Sequence, residues 1–357
     1  MMESNRLQDY VYAIAPSPDF AQDGICFVAR ESGLCRYDTH SRTWHDAYAT
    51  LQLPDSLVTP AVALSPAFAS DGTVYAGTNG GVLRSEDGGE SWVLGNMPMP
   101  PPVITALVLS PDFARDGVVF AGTIEDGVLR SPDRGAQWHR WNFGLLDPRI
   151  LAVAVSPRFA DDVMLLTGTE SGLFRSTNGG RSWRQLGLPA DLAPVLSLAL
   201  STAHPAGTTP LHPAKGVRGR PCREQGTTAI FVGTELSGLH MSRDDGNQWT
   251  RLAEDVLPDA VNTILVSPCF PATPHLLAAT DERIVVSRDG GDTWVVNPLA
   301  PRERRAGLSR TGDYHNYDLP RGESVCAVAA PLGLEPGAPL LVGMSDGQVL
   351  QLLLTKS

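Results

Sequence analysis

A chain of 357 residues with 42% apolar residues can bury a large core, and its 35 glycines and 29 prolines suit a fold of many short strands and turns. A formal charge of −11 excludes a general binder of nucleic acid or anionic membrane, which needs a basic face, and leaves neutral or basic partners. No apolar run approaches the ~18 residues of a membrane span, and residues 1–9 lack the basic-then-apolar layout of a secretory signal, so a soluble, cytoplasmic protein is expected.

In chain order, a short apolar stretch at Val11 leads into SPDFAQDG at 17–24, and the same signature returns as SPAFASDG at 65–72 and SPDFARDG at 110–117, with weaker forms from Ser156 and Ser267. After it comes a second apolar stretch such as TVYAG at 73–77, a turn, and a third such as VLR at 82–84. A box of the form S-x-D-x-G-x-x-W closes the unit: SEDGGESW at 85–92, SPDRGAQW at 131–138, STNGGRSW at 176–183, SRDDGNQW at 242–249 and SRDGGDTW at 287–294. A degraded copy, YDTHSRTW, stands at 37–44. Six of the seven tryptophans occupy one repeat position at spacings of 48, 46, 45, 66 and 45, and only Trp141 lies outside it.

Four short strands per unit, A to D from the inside outward, make one propeller blade. A strands near Val11, Val62, Ile104, Leu151, Val195, Val261 and Val325 count seven. The expected fold is all-β, a seven-bladed β-propeller of four-stranded antiparallel blades in one domain. The blades fall at about 8–50, 58–97, 102–145, 149–188, 193–253, 259–298 and 323–357, with insertions at 201–228 and 297–323. The last blade has no box or D strand, and because an open edge invites pairing with other chains, residues 1–7 are expected to supply its outer strand.

The boxes resemble the Asp-box (BNR) repeat, over almost the whole chain. As chemistry, each box is a C-to-D hairpin. Its serine, carboxylate, glycine and tryptophan are Ser85, Asp87, Gly89, Trp92; Ser131, Asp133, Gly135, Trp138; Ser176, Asn178, Gly180, Trp183; Ser242, Asp244, Gly246, Trp249; and Ser287, Asp289, Gly291, Trp294. The short carboxylate accepts backbone N–H groups of its own turn, the glycine tolerates positive φ and the tryptophan fills the space between blades. Asn178 keeps the acceptor and loses the charge.

The resemblance implies a superfamily holding sialidases, two-propeller xyloglucanases, sortilin-type receptors and the photosystem II assembly factor, so it spans enzymes and binding modules. A sialidase would carry an Arg-Ile-Pro segment before its first box. The nearest string, PRIL at 148–151, sits where an A strand begins. H-E-x-x-H and G-x-S-x-G are absent, and His204, His212 and Cys222 share one loop at irregular spacing. The five cysteines (Cys26, Cys35, Cys222, Cys269, Cys326) are odd in number without C-x-x-C spacing. No catalytic residue, metal site, disulfide framework or cofactor is therefore expected.

Strand alternation places the B–C turns and D–A connections on one face, and the A–B loops and boxes on the other. The B–C turns carry Glu31, Glu125, Asp126, Glu170, Glu235, Asp281, Glu282 and Asp346, a broken acidic ring that lapses only at Asn79. On the same face the 297–323 insertion holds Arg302, Arg304, Arg305, Arg310, Tyr314 and Tyr317, a basic and aromatic loop suited to recognition. The arginines ending the C strands (Arg36, Arg84, Arg130, Arg175) are expected to pack their stems and meet a carboxylate of the neighbouring blade. The function expected is a non-catalytic protein-interaction scaffold or complex-assembly factor; a carbohydrate-active hydrolase, sialidase- or glycoside-hydrolase-like, is the alternative, with a carbohydrate ligand.

Overall fold

The computed structural model describes residues 9–187, 192–202, 228–299 and 323–355. They form seven antiparallel sheets, six of four strands and one of three, each with its strands in sequence order. The A strands are Val11–Pro16, Ala61–Leu64, Ile104–Leu109, Ile150–Val155, Val195–Thr202, Thr263–Val266 and Val325–Ala329. Each neighbours the next, and the seventh neighbours the first, so the inner strands close a ring. The last blade ends, among the described residues, with its C strand Val349–Leu353. The outer strand expected there from residues 1–7 lies outside the described residues.

The second strand of each blade is pressed between neighbouring blades, which is why it reads as a continuous apolar run. Val74–Thr78, Val119–Thr123, Leu165–Thr169 and Thr228–Thr234 are buried at every position. Near the end of this strand a glycine recurs, and its missing Cβ sets how closely the blades approach. A Cβ on Gly77 would stand 2.5 Å from Ile104, and one on Gly122 2.5 Å from Ile150, each the first residue of the next inner strand.

The S-P-x-F-A-x-D-G signature forms the A–B connection as a one-turn helix: Phe20–Asp23, Phe68–Asp71, Phe113–Asp116 and Phe159–Asp162. The serine hydroxyl donates to the aspartate at 2.6 Å (Ser17–Asp23), 2.7 Å (Ser65–Asp71), 2.6 Å (Ser110–Asp116) and 2.7 Å (Ser156–Asp162). The phenylalanine packs edge-on against a ring on the preceding blade's B strand, as in Phe27–Phe68, Tyr75–Phe113 and Phe120–Phe159. The signature thus joins blades as well as turning the chain.

The boxes close as hairpins. In the second blade Asp87 Oδ1 accepts the N–H groups of Glu90 and Ser91 at 3.0 and 2.9 Å and the Ser85 hydroxyl at 2.7 Å. Ser85 Oγ in turn accepts the Gly89 N–H at 2.9 Å. Burial pushes the Asp87 carboxyl up, but the Ser91 hydroxyl and N–H, with Ser85 and Glu90, outweigh it and hold the group down at about 2. Asp289, held mainly by Thr293 against the same effect of burial, also sits at about 2. Carboxylates depressed by folding contribute stability above their ordinary range, near pH 4, that is lost as pH falls toward about 2. In thermal melts the midpoint gap between the wild type and an Asp87→Asn/Asp289→Asn variant is expected to shrink across that window, because asparagine keeps the acceptor as Asn178 does. A gap constant from pH 7 to pH 2 would refute the assignment.

Tryptophan from one blade packs on the D-strand region of the blade before it. Trp92 is buried and donates its Nε1–H to Ala47 O at 2.7 Å, and Trp183 likewise to Trp141 O at 2.7 Å. Trp44 departs from the expected inter-blade role. It lies within the D strand Thr43–Asp46, 42% exposed, stacked on Tyr37 at 4.3 Å with Arg30 over it at 4.7 Å. By the pattern of the other blades it would pack on the D strand of the last blade, where none is described. Box degradation in blade one and the last blade, three-stranded among the described residues, therefore meet at the same seam.

The C-strand arginines correct a second expectation. Arg36 approaches the next blade's Glu90 at 3.8 Å. Arg84 and Arg175, however, donate to backbone carbonyls of the following box, Arg134 O at 2.8 Å and Asp245 O at 2.9 Å. Arg84 finds its carboxylate, Glu86, in its own blade at 3.4 Å. The stems are packed as expected, but the neighbour's acceptor is mostly a carbonyl.

Candidate functional site

The B–C turns and D–A connections share one face, tied by backbone bonds. Glu31 N–H donates to Tyr10 O, Ile124 N–H to Val103 O, Glu235 N–H to Pro194 O and Val325 N–H to Asp281 O. These bonds set each B–C turn beside the start of an inner strand. Glu31, Glu125, Asp126, Glu170, Glu235, Asp281, Glu282 and Asp346 all fall in these turns. Arg302, Arg304, Arg305, Arg310, Tyr314 and Tyr317 lie outside the described residues, as do His204, His212 and Cys222.

The acidic ring is less charged than its sequence suggests. Asp126 is gripped by Arg140 through Nε at 2.9 Å and Nη2 at 2.8 Å, and Glu170 pairs with Arg149 at 2.6 Å. Glu31 accepts the Tyr12 hydroxyl; burial first, and then this carboxylate, push the Tyr12 phenol up to about 12. Asp281 accepts from the Asn262 side chain, and Asp346 accepts from Gln348 N–H at 3.0 Å within its own turn. The carboxylates of Glu125 and Glu235 are exposed and carry no hydrogen bond or ion pair among the described residues.

Buried Asp147 anchors this face, a role the sequence did not disclose. Its carboxylate accepts the Ser171 N–H at 2.8 Å and the Arg149 N–H at 3.0 Å. Burial raises its pKa, yet the Arg149 and Ser171 bonds outweigh this and lower it. A D–A connection is thereby locked to the B–C turn of the next blade. Between blades five and six a cleft of about 200 Å³ opens among Val256, Pro258, Asp259, Asp281, Glu282 and Arg283.

Exposed apolar side chains are the second feature missed from sequence. Of the fifteen large hydrophobic side chains exposed among the described residues, six sit in D–A connections or B–C turns: Leu53, Met99, Ile124, Phe143, Leu146 and Leu236. Only Val163 and Leu332 lie in the opposite loops. The signal was available as bulky apolar residues at turn positions where repeats ordinarily place polar ones. Among the described residues no group of three metal-ligating side chains gathers, and no helix is long and apolar enough to cross a membrane.

No protein-family model matches this chain, and no curated protein matches it in sequence. Solved structures do match in fold. A GH74 xyloglucanase from Xanthomonas campestris superposes with a TM-score of 0.62 at 19% identity, covering 95% of this chain and 51% of its own. YCF48 bound to D1 peptide gives a TM-score of 0.62 at 13% identity and covers 99% of both chains. The extracellular domain of a putative one-component system from B. thetaiotaomicron gives 0.62 at 13% identity, over 96% of this chain and 38% of that one. The chain thus spans about half of the enzyme and two fifths of the sensor domain, and the likeness shows a seven-bladed propeller shared by proteins of different function.

Proposed function

We propose that this protein is a non-catalytic protein-interaction scaffold of Asp-box type, binding its partner on the face built by the B–C turns and D–A connections. One observation carries the reading: among the described residues six exposed apolar side chains collect on that face, two of them beside the unpaired carboxylates of Glu125 and Glu235, and only two lie in the opposite loops. Protein-recognition surfaces combine apolar anchors with a polar surround, and Ile124 beside Glu125 and Leu236 beside Glu235 supply both at single turns. The partner segment that fits carries apolar side chains and basic residues. A propeller of the same span, YCF48, was solved with a D1 peptide, which supports peptide or protein binding here. A cytoplasmic location belongs to the same proposal, supported by the lack of any disulfide among the described cysteines.

The test is affinity capture from the source cell with the wild type, an Ile124→Glu/Leu236→Glu variant and a Leu332→Glu control on the opposite face. A partner retained by wild type and control is expected to drop about tenfold or more with the double variant, since anchor residues carry most of the energy of such interfaces. Equal capture by all three refutes the face assignment.

A further inference from the structure

Four departures from the repeat converge at one place on the rim between blades three and four. Arg130 is the first. Its counterparts Arg36, Arg84 and Arg175 each reach an acceptor in the following blade, whereas the Arg130 guanidinium has no hydrogen bond or ion pair among the described residues; its Nε, like that of Arg36, is buried without a partner. Trp141, the tryptophan outside the repeat, is the second. Arg130 lies over its ring at 4.3 Å and Arg181 at 5.6 Å, so two cations approach one indole ring. Third, blade four is the one whose complete box carries Asn178 instead of aspartate, and this removes the local negative charge. Fourth, the left-handed position that Gly24, Gly72 and Gly117 fill in other blades holds Val163 at φ 45°, a strained conformation for a β-branched residue.

These residues line a cavity of about 460 Å³. Arg115 and Asp116 also line it, each bonded to partners of its own, although the Asp116 charge still acts on Arg130. Arg115 pairs with Asp112 at 2.5 Å, and Asp116 accepts from Ser110 at 2.6 Å and from Val118 N–H at 2.9 Å. Burial, and then the like charge of Arg181, lower the Arg130 pKa and outweigh the opposing charge of Asp116, which lies near Arg130 without forming an ion pair with it. Val118, Phe159 and Val163 form an apolar wall beside the two guanidiniums. A guanidinium offers paired N–H donors matched to a carboxylate or phosphate, and an unpaired one beside a second is costly to bury unless a ligand supplies the anion.

We propose that this groove binds an oxyanion carried on an apolar stem, with Arg130 and Arg181 holding the carboxylate or phosphate and the Phe159–Val163 wall taking the stem. Apart from Trp141, which begins a D–A connection, its lining comes from the A–B and box loops and their adjoining strands, away from the B–C turns. Its pattern is set by the failures of the repeat, since a purely structural position would be expected to follow its sister blades.

Calorimetric titration of the full chain with benzoate, phenyl phosphate and inorganic phosphate tests it. Millimolar binding of benzoate or phenyl phosphate is expected, weakening as salt rises, and whichever of the two binds tighter identifies the oxyanion. Arg130→Gln should weaken binding about tenfold, the loss of one charge-assisted contact. Arg84→Gln, the equivalent change one blade earlier, should leave it unchanged. Asn178→Asp is the decisive variant, because it restores the box of the other blades without cost to folding yet places a carboxylate in the groove; affinity should again fall about tenfold. No binding of any probe by the wild type, undiminished binding by the folded Asn178→Asp and Arg130→Gln variants, or inorganic phosphate binding as tightly as phenyl phosphate would each overturn the proposal.

Discussion

Trp92→Ala is expected to cost about 3–5 kcal/mol, and Trp44→Ala less than about 1 kcal/mol, although both tryptophans occupy the same position of the repeat. Trp92 is 8% exposed, meets Tyr48 edge-on at 5.5 Å and donates to Ala47 O, so truncation leaves a cavity between blades one and two and an unpaired carbonyl. Trp44 loses only a half-exposed stack on Tyr37 and the Arg30 contact. Urea unfolding of both variants measures the difference. Equal losses would mean that the seam between the last blade and the first is packed like the others.

Gly168→Ala is expected to destabilise by about 2–3 kcal/mol, the upper part of the range for forcing extra carbon into a packed core. An added Cβ would stand 2.5 Å from Val195 Cγ1 and 2.7 Å from the Val195 carbonyl oxygen, and the backbone atom cannot rotate away. The inner strand of blade five must therefore shift outward. Gly88→Ala is the control, since a Cβ there meets nothing within 4 Å and the cost is only that of a left-handed backbone at φ +75°, about 1–2 kcal/mol. If the two variants lose equal stability by chemical denaturation, close approach is not what selects glycine in the B strand.

Much of the architecture was legible because a propeller repeats its solution. The boxes at 85–92 and 287–294 are local hairpins whose bonds run between residues at most a few positions apart, so pattern and geometry coincide. The A–B signature was legible as a recurrence, although its one-turn helix was not, because the Phe–Asp-Gly spacing reads equally as a turn. The acidic ring was placed correctly in the B–C turns by strand alternation, yet sequence could not tell that Arg140 and Arg149 neutralise Asp126 and Glu170. Those pairs join residues 14 and 21 positions apart in the chain, a separation that only the face's geometry closes.

What the chain determined by itself is therefore the blade: its length, its four strands, its hairpin chemistry and the number of copies, all set by local bonding and by apolar runs of strand length. What the tertiary structure alone decided is how the copies differ once each is pressed against its neighbours. Trp44 and Trp92 are the same letter at the same position, but Trp92 packs on the D-strand region of the blade before it, whereas Trp44 meets no such strand among the described residues. Arg84 and Arg130 likewise end equivalent strands, and only the contacts of the following blade leave one paired and the other facing an open groove. Burial and electrostatics are properties of the space between blades, and that space depends on two units at once, which no single repeat encodes.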